Sequence, residues 1–218
     1  MFRKNSAFTL AEVLIVIAVI GITATLALPN LTTNLDEKKT VSALRKIYPE
    51  LSTAYDAVVS QYGKPPEWAD AASNADANAM TKLLHDKMIK NLAISKDINN
   101  SHVILKDGAE VEFYLFDRAY MLNKIGNNDG ICADNLGYMT VDINGAQKGE
   151  NTSGYDRFEF SICYERGIMP SGESLNVGPK VFNGGQGVYN TAWVIKAGNM
   201  DYLKCIDDLD WNTKRTCK

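Results

Sequence analysis

One carboxylate lies inside the longest apolar stretch of the chain. Residues 8–28 read FTLAEVLIVIAVIGITATLAL, and Glu12 is the only charged side chain among them. A carboxylate in apolar surroundings is costly unless an opposite charge meets it, and the stretch contains no basic residue. The pattern therefore predicts charge pairing, with a partner that comes from outside the stretch.

A second group of residues has the chemistry of a cation site. Asp142, Asn144 and Asp156 lie in a polar stretch that is rich in glycine. Calcium prefers several such oxygens on a flexible loop, although the spacing is not that of an EF-hand. The alternative is turns alone, because Asn144-Gly145 favours a tight hairpin and Asx side chains bond to nearby backbone. The sequence leaves both interpretations open.

The other reactive residues argue against an enzyme or a zinc protein. The chain has 2 His and 4 Cys, no two cysteines are closely spaced, and His85 and His102 lie far from any of them. No nucleophile elbow, phosphate-binding glycine loop with a lysine, or His-Glu-x-x-His motif occurs. We expect no catalytic site and no required cofactor, with calcium as the one cation to test.

Composition limits the class of protein. The 218 residues are 45% hydrophobic and 22% charged, which excludes a largely disordered chain and a membrane protein with many spans. The net charge is -3, and no basic stripe is visible, so nothing favours a nucleic acid partner.

The apolar stretch has the length of a membrane span. As a helix it would be roughly 32 Å long, close to the thickness of the hydrocarbon core. Arg3 and Lys4 precede it, which places the N-terminus in the cytoplasm and the rest of the chain across the membrane. The stretch could be a cleaved secretory signal ending near Thr25 and Ala27, a plain anchor, or a segment that assembles with copies of itself. Only the third has a use for Glu12.

The residues around this carboxylate carry a resemblance to a known family. Lys4-Asn5-Ser6-Ala7-Phe8-Thr9-Leu10-Ala11-Glu12-Val13-Leu14 closely resembles the processing signature of type IV prepilins and type II secretion pseudopilins. The resemblance implies that a peptidase cuts between Ala7 and Phe8 and methylates the new Phe8 amine. The usual residue before the cut is Gly, so Ala7 is a small departure. The resemblance also implies that Glu12 neutralises the Phe8 amine of a neighbouring subunit during filament growth.

The helical period continues beyond the apolar stretch. Apolar residues recur at alternating spacings of three and four, at Val41, Leu44, Tyr48, Leu51, Tyr55, Val58 and Tyr62. We predict one helix from about Phe8 to Gln61. The predicted organisation is a cleaved leader at 1–7, a membrane and filament-core helix at 8–28, its amphipathic continuation at 29–62, and a globular head at 63–218.

The head domain is predicted to be an α+β arrangement. Residues 81–92 indicate a second helix, and residues 103–105, 110–116, 138–143, 158–163 and 192–196 indicate strands. Lys106-Asp107-Gly108 is typical of a hairpin turn between the first two strands. The expected fold is an antiparallel sheet packed on the long N-terminal helix, which is also the fold that the resemblance implies.

The four cysteines allow three pairings. The resemblance implies that Cys205 and Cys217 close a C-terminal loop, as in many pilins. A bond between Cys132 and Cys163 follows only from the even count and the exported compartment. The alternative is that one or both pairs stay reduced, because a buried cysteine is a good small hydrophobe.

The resemblance implies a structural subunit of a type IV pilus or a type II secretion pseudopilus. Its expected partners are itself, other pilins, prepilin peptidase and the inner-membrane assembly machinery. Its expected place is the bacterial inner membrane, with the head outside, and then the filament. The alternative is a membrane-anchored periplasmic module that binds a glycan or another ligand and does not polymerise. Such a module needs neither Glu12 nor a cut after Ala7.

Overall fold

The computed structural model describes residues 9–69, 75–127, 132–149, 151–172 and 190–217, and of residues 23–35 it describes the backbone only. The chain divides into two compact units, Met1–Lys39 and Thr40–Lys218. One helix, α1 at Leu10–Tyr62, contributes to both units. Its bounds lie within two residues of the predicted ones, and it continues through Pro29 and Pro49.

The part of α1 in the second unit carries the predicted apolar stripe. Of the predicted members, Tyr48 and Tyr62 are only partly buried. The buried residues of this part mostly recur every three or four residues and are Val41, Leu44, Ile47, Leu51, Ala54, Tyr55 and Val58. This spacing places them on one face of a helix. Tyr48 stacks on Phe160 at 5.7 Å between ring centroids, so the stripe packs on the sheet. Gly63, in a left-handed conformation, follows the last helical residue.

Within the part of the chain that the structure describes, six antiparallel strands form one sheet in sequence order. They are β1 at Ile94–Asn99, β2 at His102–Leu105, β3 at Glu110–Leu115, β4 at Asn135–Asp142, β5 at Arg157–Cys163 and β6 at Gly167–Pro170. From β2 to β6 buried and partly exposed residues alternate, so one face of the sheet lies on the core. The predicted α+β fold is confirmed, and the predicted strands at 103–105, 110–116, 138–143 and 158–163 correspond to β2–β5.

A second helix, α2 at Ala77–Met88, packs beside β3. Asp76 caps its first turn by accepting a hydrogen bond from the Ala79 amide at 2.8 Å. The Thr81 hydroxyl accepts a hydrogen bond from the Leu115 amide at 2.9 Å. Because β2 pairs only with the first residues of β3, α2 takes the place of a neighbouring strand at the end of β3.

The predicted strand at 192–196 is wrong. These residues belong to the helix α4 at Thr191–Ala197, which follows the short α3 at Arg118–Lys124 and precedes α5 at Tyr202–Cys205. The helix ends at Gly198, which adopts a left-handed conformation (φ 74°) and donates to the Val194 carbonyl at 3.1 Å. A short apolar run is compatible with a strand or a buried helix, and only the glycine after it indicates a helix end.

Candidate functional site

The predicted processing site is described only from Thr9 onward. Ala7 and Phe8 lie outside the described residues, whereas Thr9 and Glu12 lie at the start of α1. Oε2 of Glu12 accepts hydrogen bonds from the Thr9 amide at 2.8 Å and from the Thr9 hydroxyl at 2.9 Å. The Glu12 amide in turn donates to the Thr9 hydroxyl at 3.3 Å. This reciprocal pattern is a capping box, which satisfies amide groups that a helix start leaves free.

The capping box places the Glu12 carboxylate next to the predicted cut. Thr9 is the residue directly after Phe8, so the carboxylate lies one residue from the amine that cleavage would create. In the single chain Thr9 donates to one oxygen of this carboxylate, Oε2. A neighbouring amine could therefore reach Glu12 only by sharing its free oxygen or by opening the box.

The described side chains of the first unit leave a large apolar surface exposed. Those at the start of α1 point in every direction around the helix, and all are about half exposed or more: Leu10, Val13, Leu14, Ile15, Val16, Ile17, Val19, Ile20 and Ile22. A helix that is apolar all round needs apolar surroundings on all sides. Within the residues that the structure describes, no helix is long and apolar enough to cross a membrane. The predicted span at 8–28 begins before those residues and stays a prediction.

The predicted cation loop is held by backbone hydrogen bonds. Oδ1 of Asp142 accepts from the amides of Asn144 at 3.2 Å and Gly145 at 2.9 Å. The two carboxylate oxygens of Asp156 accept from the amides of Asn151 at 3.0 Å and Thr152 at 2.6 Å. These are the turns that the alternative interpretation expects.

Two features of the same loop suit a cation. Burial raises the pKa of the Asp142 carboxyl, and the Asp156 carboxylate raises it further, against the hydrogen bonds from the Asn144 and Gly145 amides. The side-chain oxygen of Asn144 is buried and has no hydrogen-bond partner among the described residues. A cation would supply the missing partner and stabilise the Asp142 anion, so the three predicted ligands fit calcium chemically, and calcium binding stays a prediction.

Both expected disulfides are present. Cys132 is bonded to Cys163, with their Cα atoms 5.3 Å apart, and this bond joins the turn before β4 to the end of β5. Cys205 is bonded to Cys217, with their Cα atoms 5.7 Å apart, and closes the C-terminal loop. Asp134 lies near the first pair, but its carboxylate accepts the Glu165 amide at 2.7 Å, and bonded sulfurs are not metal ligands.

A groove that was not predicted from the sequence lies on the polar face of the sheet, the face opposite the core. Its wider part has a volume of about 660 Å³ and its narrower part about 250 Å³. Glu112 and Thr140 line both parts, so the two are continuous. In the wider part the rings of Tyr114 and Tyr138 stack, 4.8 Å between centroids and 23° between planes.

Strand register brings these groove residues together. Glu112 pairs with Thr140, and Tyr114 pairs with Tyr138, across β3 and β4. In each strand they alternate with buried residues, so they share one face. The alternation was visible in the sequence, but the register that aligns the two tyrosines was not.

The narrower part of the groove is charged. Nε2 of His102 lies 3.0 Å from Oε2 of Glu110, and Nη2 of Arg157 lies 4.0 Å from Oε2 of Glu112. Asp142 also lines this part. Three carboxylates thus face one guanidinium and one imidazole, which leaves the groove negative.

Comparison with known proteins identifies only the N-terminal segment. Residues 2–28 match the family model described as the prokaryotic N-terminal methylation motif, which is the type IV pilin and pseudopilin signature. No curated protein and no solved structure matches the chain significantly. The chain thus carries the motif of pilin-like substrates of prepilin peptidase, and the motif covers the predicted cut and Glu12.

Proposed function

We propose that this chain, with its pilin signature at residues 2–28, is a structural subunit of a type IV pilus or a type II secretion pseudopilus. Prepilin peptidase cuts it between Ala7 and Phe8 and methylates the Phe8 amine. The mature subunit then assembles with copies of itself and with other pilins through the first part of α1. Assembly starts from the bacterial inner membrane, with the head outside.

The observation that carries this proposal is the chemistry of the start of α1. The described side chains from Leu10 to Ile22 form an apolar surface on all sides of the helix, and the Glu12 carboxylate lies near its start. Lipid alone would satisfy the apolar surface, but it would not supply an opposite charge for Glu12. Packed subunits would satisfy both, because each subunit brings an apolar helix and a cationic amine.

The pairing of Glu12 with an amine would set the register of the subunits. Both charges are costly to bury singly, whereas a matched pair offsets much of that cost. A subunit displaced along its neighbour would leave both charges unpaired in apolar surroundings. The role requires no catalysis and no cofactor from this chain.

The N-terminus of the mature protein is the first test. Mass spectrometry of protein purified from its native membrane should find a chain that starts at Phe8 and carries one extra methyl group. A chain that keeps Met1, or one that starts at Leu28, would contradict the proposal and would favour the membrane-anchored binding module.

Two substitutions separate charge pairing from helix capping. Glu12→Gln keeps an oxygen that can accept the Thr9 amide, as the capping box requires, but it has no charge. Glu12→Ala removes both. We expect both variants to be cleaved and neither to enter filaments, measured by shearing filaments from cells and immunoblotting. Normal incorporation of Glu12→Gln would show that capping is sufficient and that the charge pair is not used.

A further inference from the structure

The polar-face groove has the composition of a sugar-binding site. Its wider part is bounded by the start of α2, the turn between β1 and β2, and the polar face of β3 and β4. Two half-buried tyrosines, whose rings stack on each other, line it. Aromatic ring faces are apolar and flat, and they suit the C–H faces of a pyranose ring.

The rim of the wider part offers neutral hydrogen-bonding groups. Asn78, Asn100 and Thr140 line it, and within the described residues no side-chain hydrogen bond engages these three. An amide both donates and accepts, and so does a hydroxyl. A ligand with many hydroxyl groups can use all of them without bringing a charge.

The charges of the groove argue against an anionic ligand. Glu110, Glu112 and Asp142 outnumber Arg157 in the narrower part, and His102 is already paired with Glu110. In the wider part Lys82 forms an ion pair with Asp86. A nucleic acid or another polyanion would meet net repulsion here, whereas a neutral chain would not.

The backbone argues against an added peptide strand. Beyond the end of β2, the edge of β3 could pair with another strand. The Leu115 amide at this edge already donates to the Thr81 hydroxyl at 2.9 Å. The same hydroxyl lies 3.4 Å from the Leu115 carbonyl oxygen. Helix α2 therefore blocks strand addition where the groove is widest.

We propose that the polar-face groove binds a neutral glycan chain. One sugar ring stacks on the outer face of the Tyr114–Tyr138 pair, and its hydroxyl groups bond to Asn78, Asn100 and Thr140. Further sugars extend past Glu112 toward Arg157. The groove lies wholly in the second unit, so glycan binding to it should not depend on filament assembly.

The test is calorimetric titration of the full chain with neutral hexasaccharides. The protein is kept in a detergent without a sugar head group, such as lauryldimethylamine oxide, because a maltoside would compete. The probes are the hexasaccharides of β-1,4-glucose, α-1,4-glucose and β-1,4-N-acetylglucosamine. We expect at least one to bind, and Tyr138→Ala to weaken its affinity about tenfold or more.

Matched variants locate the binding. Tyr138→Phe keeps the ring and should bind as the wild type does, as should Tyr155→Ala, because Tyr155 is an exposed tyrosine that does not line the groove. Asn100→Ala, in the exposed turn between β1 and β2, should weaken binding without disturbing the core. It keeps the test decisive if Tyr138→Ala does not fold.

Two results would overturn the proposal. One is that no probe at about 10 mM binds the folded wild type. The other is that the affinity is unchanged in folded Tyr138→Ala and in Asn100→Ala. If those variants instead reduce filament incorporation while glycan binding persists, the groove is a contact between subunits and the proposal is wrong.

Discussion

Replacing Gly137 by alanine tests the register that aligns the groove tyrosines. Gly137 faces Leu115 across β3 and β4 and precedes Tyr138 directly. A Cβ at this position would overlap the Tyr114 carbonyl oxygen and would lie 2.8 Å from the Leu115 Cα. Both atoms belong to the backbone of β3, so no side-chain rotation can relieve the overlap.

The expected loss of stability follows from the movement of β3 and β4 away from each other. Separating the two strands strains or breaks one or two ladder hydrogen bonds, at about 1 kcal/mol each, and overpacking adds about 1–3 kcal/mol. We expect the free energy of unfolding to fall by about 3–4 kcal/mol. For a unit of this size that corresponds to a melting temperature lower by about 10 °C.

Gly108→Ala is the matched control. Gly108 lies in the turn between β2 and β3, and no atom of the described residues is within 4 Å of where its Cβ would be. Its φ of 94° is unfavourable for alanine, so only backbone strain acts, at about 1 kcal/mol. We expect its melting temperature to fall by about 2–4 °C.

The assay is thermal unfolding of the full chain in detergent, followed by near-ultraviolet circular dichroism. Gly137→Ala should melt well below Gly108→Ala, which should melt slightly below the wild type. Equal melting temperatures for the two variants would refute the β3–β4 register, and with it the alignment of the groove tyrosines.

Three further perturbations test other parts of the second unit. Burial raises the pKa of the Glu159 carboxyl, although a hydrogen bond from Ser171 lowers it. Ionisation of Glu159 therefore destabilises the folded state as the pH rises above 4.5, the ordinary pKa of this carboxyl. Glu159→Gln should therefore raise the melting temperature at pH 7 and leave it unchanged at about pH 3.5, where both states are protonated. Replacing Cys205 and Cys217 together by serine should lower the free energy of unfolding by about 3 kcal/mol, in guanidinium titrations, because the bond closes a short loop. The calcium hypothesis predicts that EGTA lowers the melting temperature of the wild type but not that of the double variant Asp142→Asn, Asp156→Asn.

Each of these has a result that would contradict it. A gain from Glu159→Gln that is the same at both pH values would mean that charge is not the cause. Unchanged stability without the Cys205–Cys217 bond would mean that the C-terminal loop is held by other contacts. If EGTA does not change the melting temperature of the wild type, the loop at Asp142 consists of turns without a bound calcium ion.

Most of the fold could be predicted from local patterns in the sequence. The stripe from Val41 to Tyr62 predicted the second part of α1 because helical period is a property of neighbouring residues, and Lys106-Asp107-Gly108 predicted the β2–β3 hairpin for the same reason. The edge strand β1 was missed because its residues are mostly exposed and show no alternation. Helix α4 was mistaken for a strand because its run is too short for the period to decide.

Of the candidate sites, too, one follows from a local pattern and the other depends on long-range contacts. Glu12 could be identified from the sequence because its significance lies in its immediate neighbours, which are all apolar. Its hydrogen bonds to Thr9 also follow from a local motif, with threonine three residues before glutamate, although we did not predict them. The groove could not be identified, because Tyr114 and Tyr138 come together only through a long-range register and the placement of α2.

The start of α1 and the groove can be tested without confusing one with the other. The described side chains from Leu10 to Ile22 are exposed, so Glu12 variants remove no core contact of the second unit and should leave its melting temperature unchanged. The groove residues lie in the second unit, so their substitution should leave cleavage before Phe8 intact. A filament defect in Glu12→Gln with a normal melting temperature therefore reports on assembly, whereas lost glycan binding in Tyr138→Ala with normal cleavage reports on the groove. A change at one site that altered both readouts would show that the two are coupled, contrary to the reasoning for each.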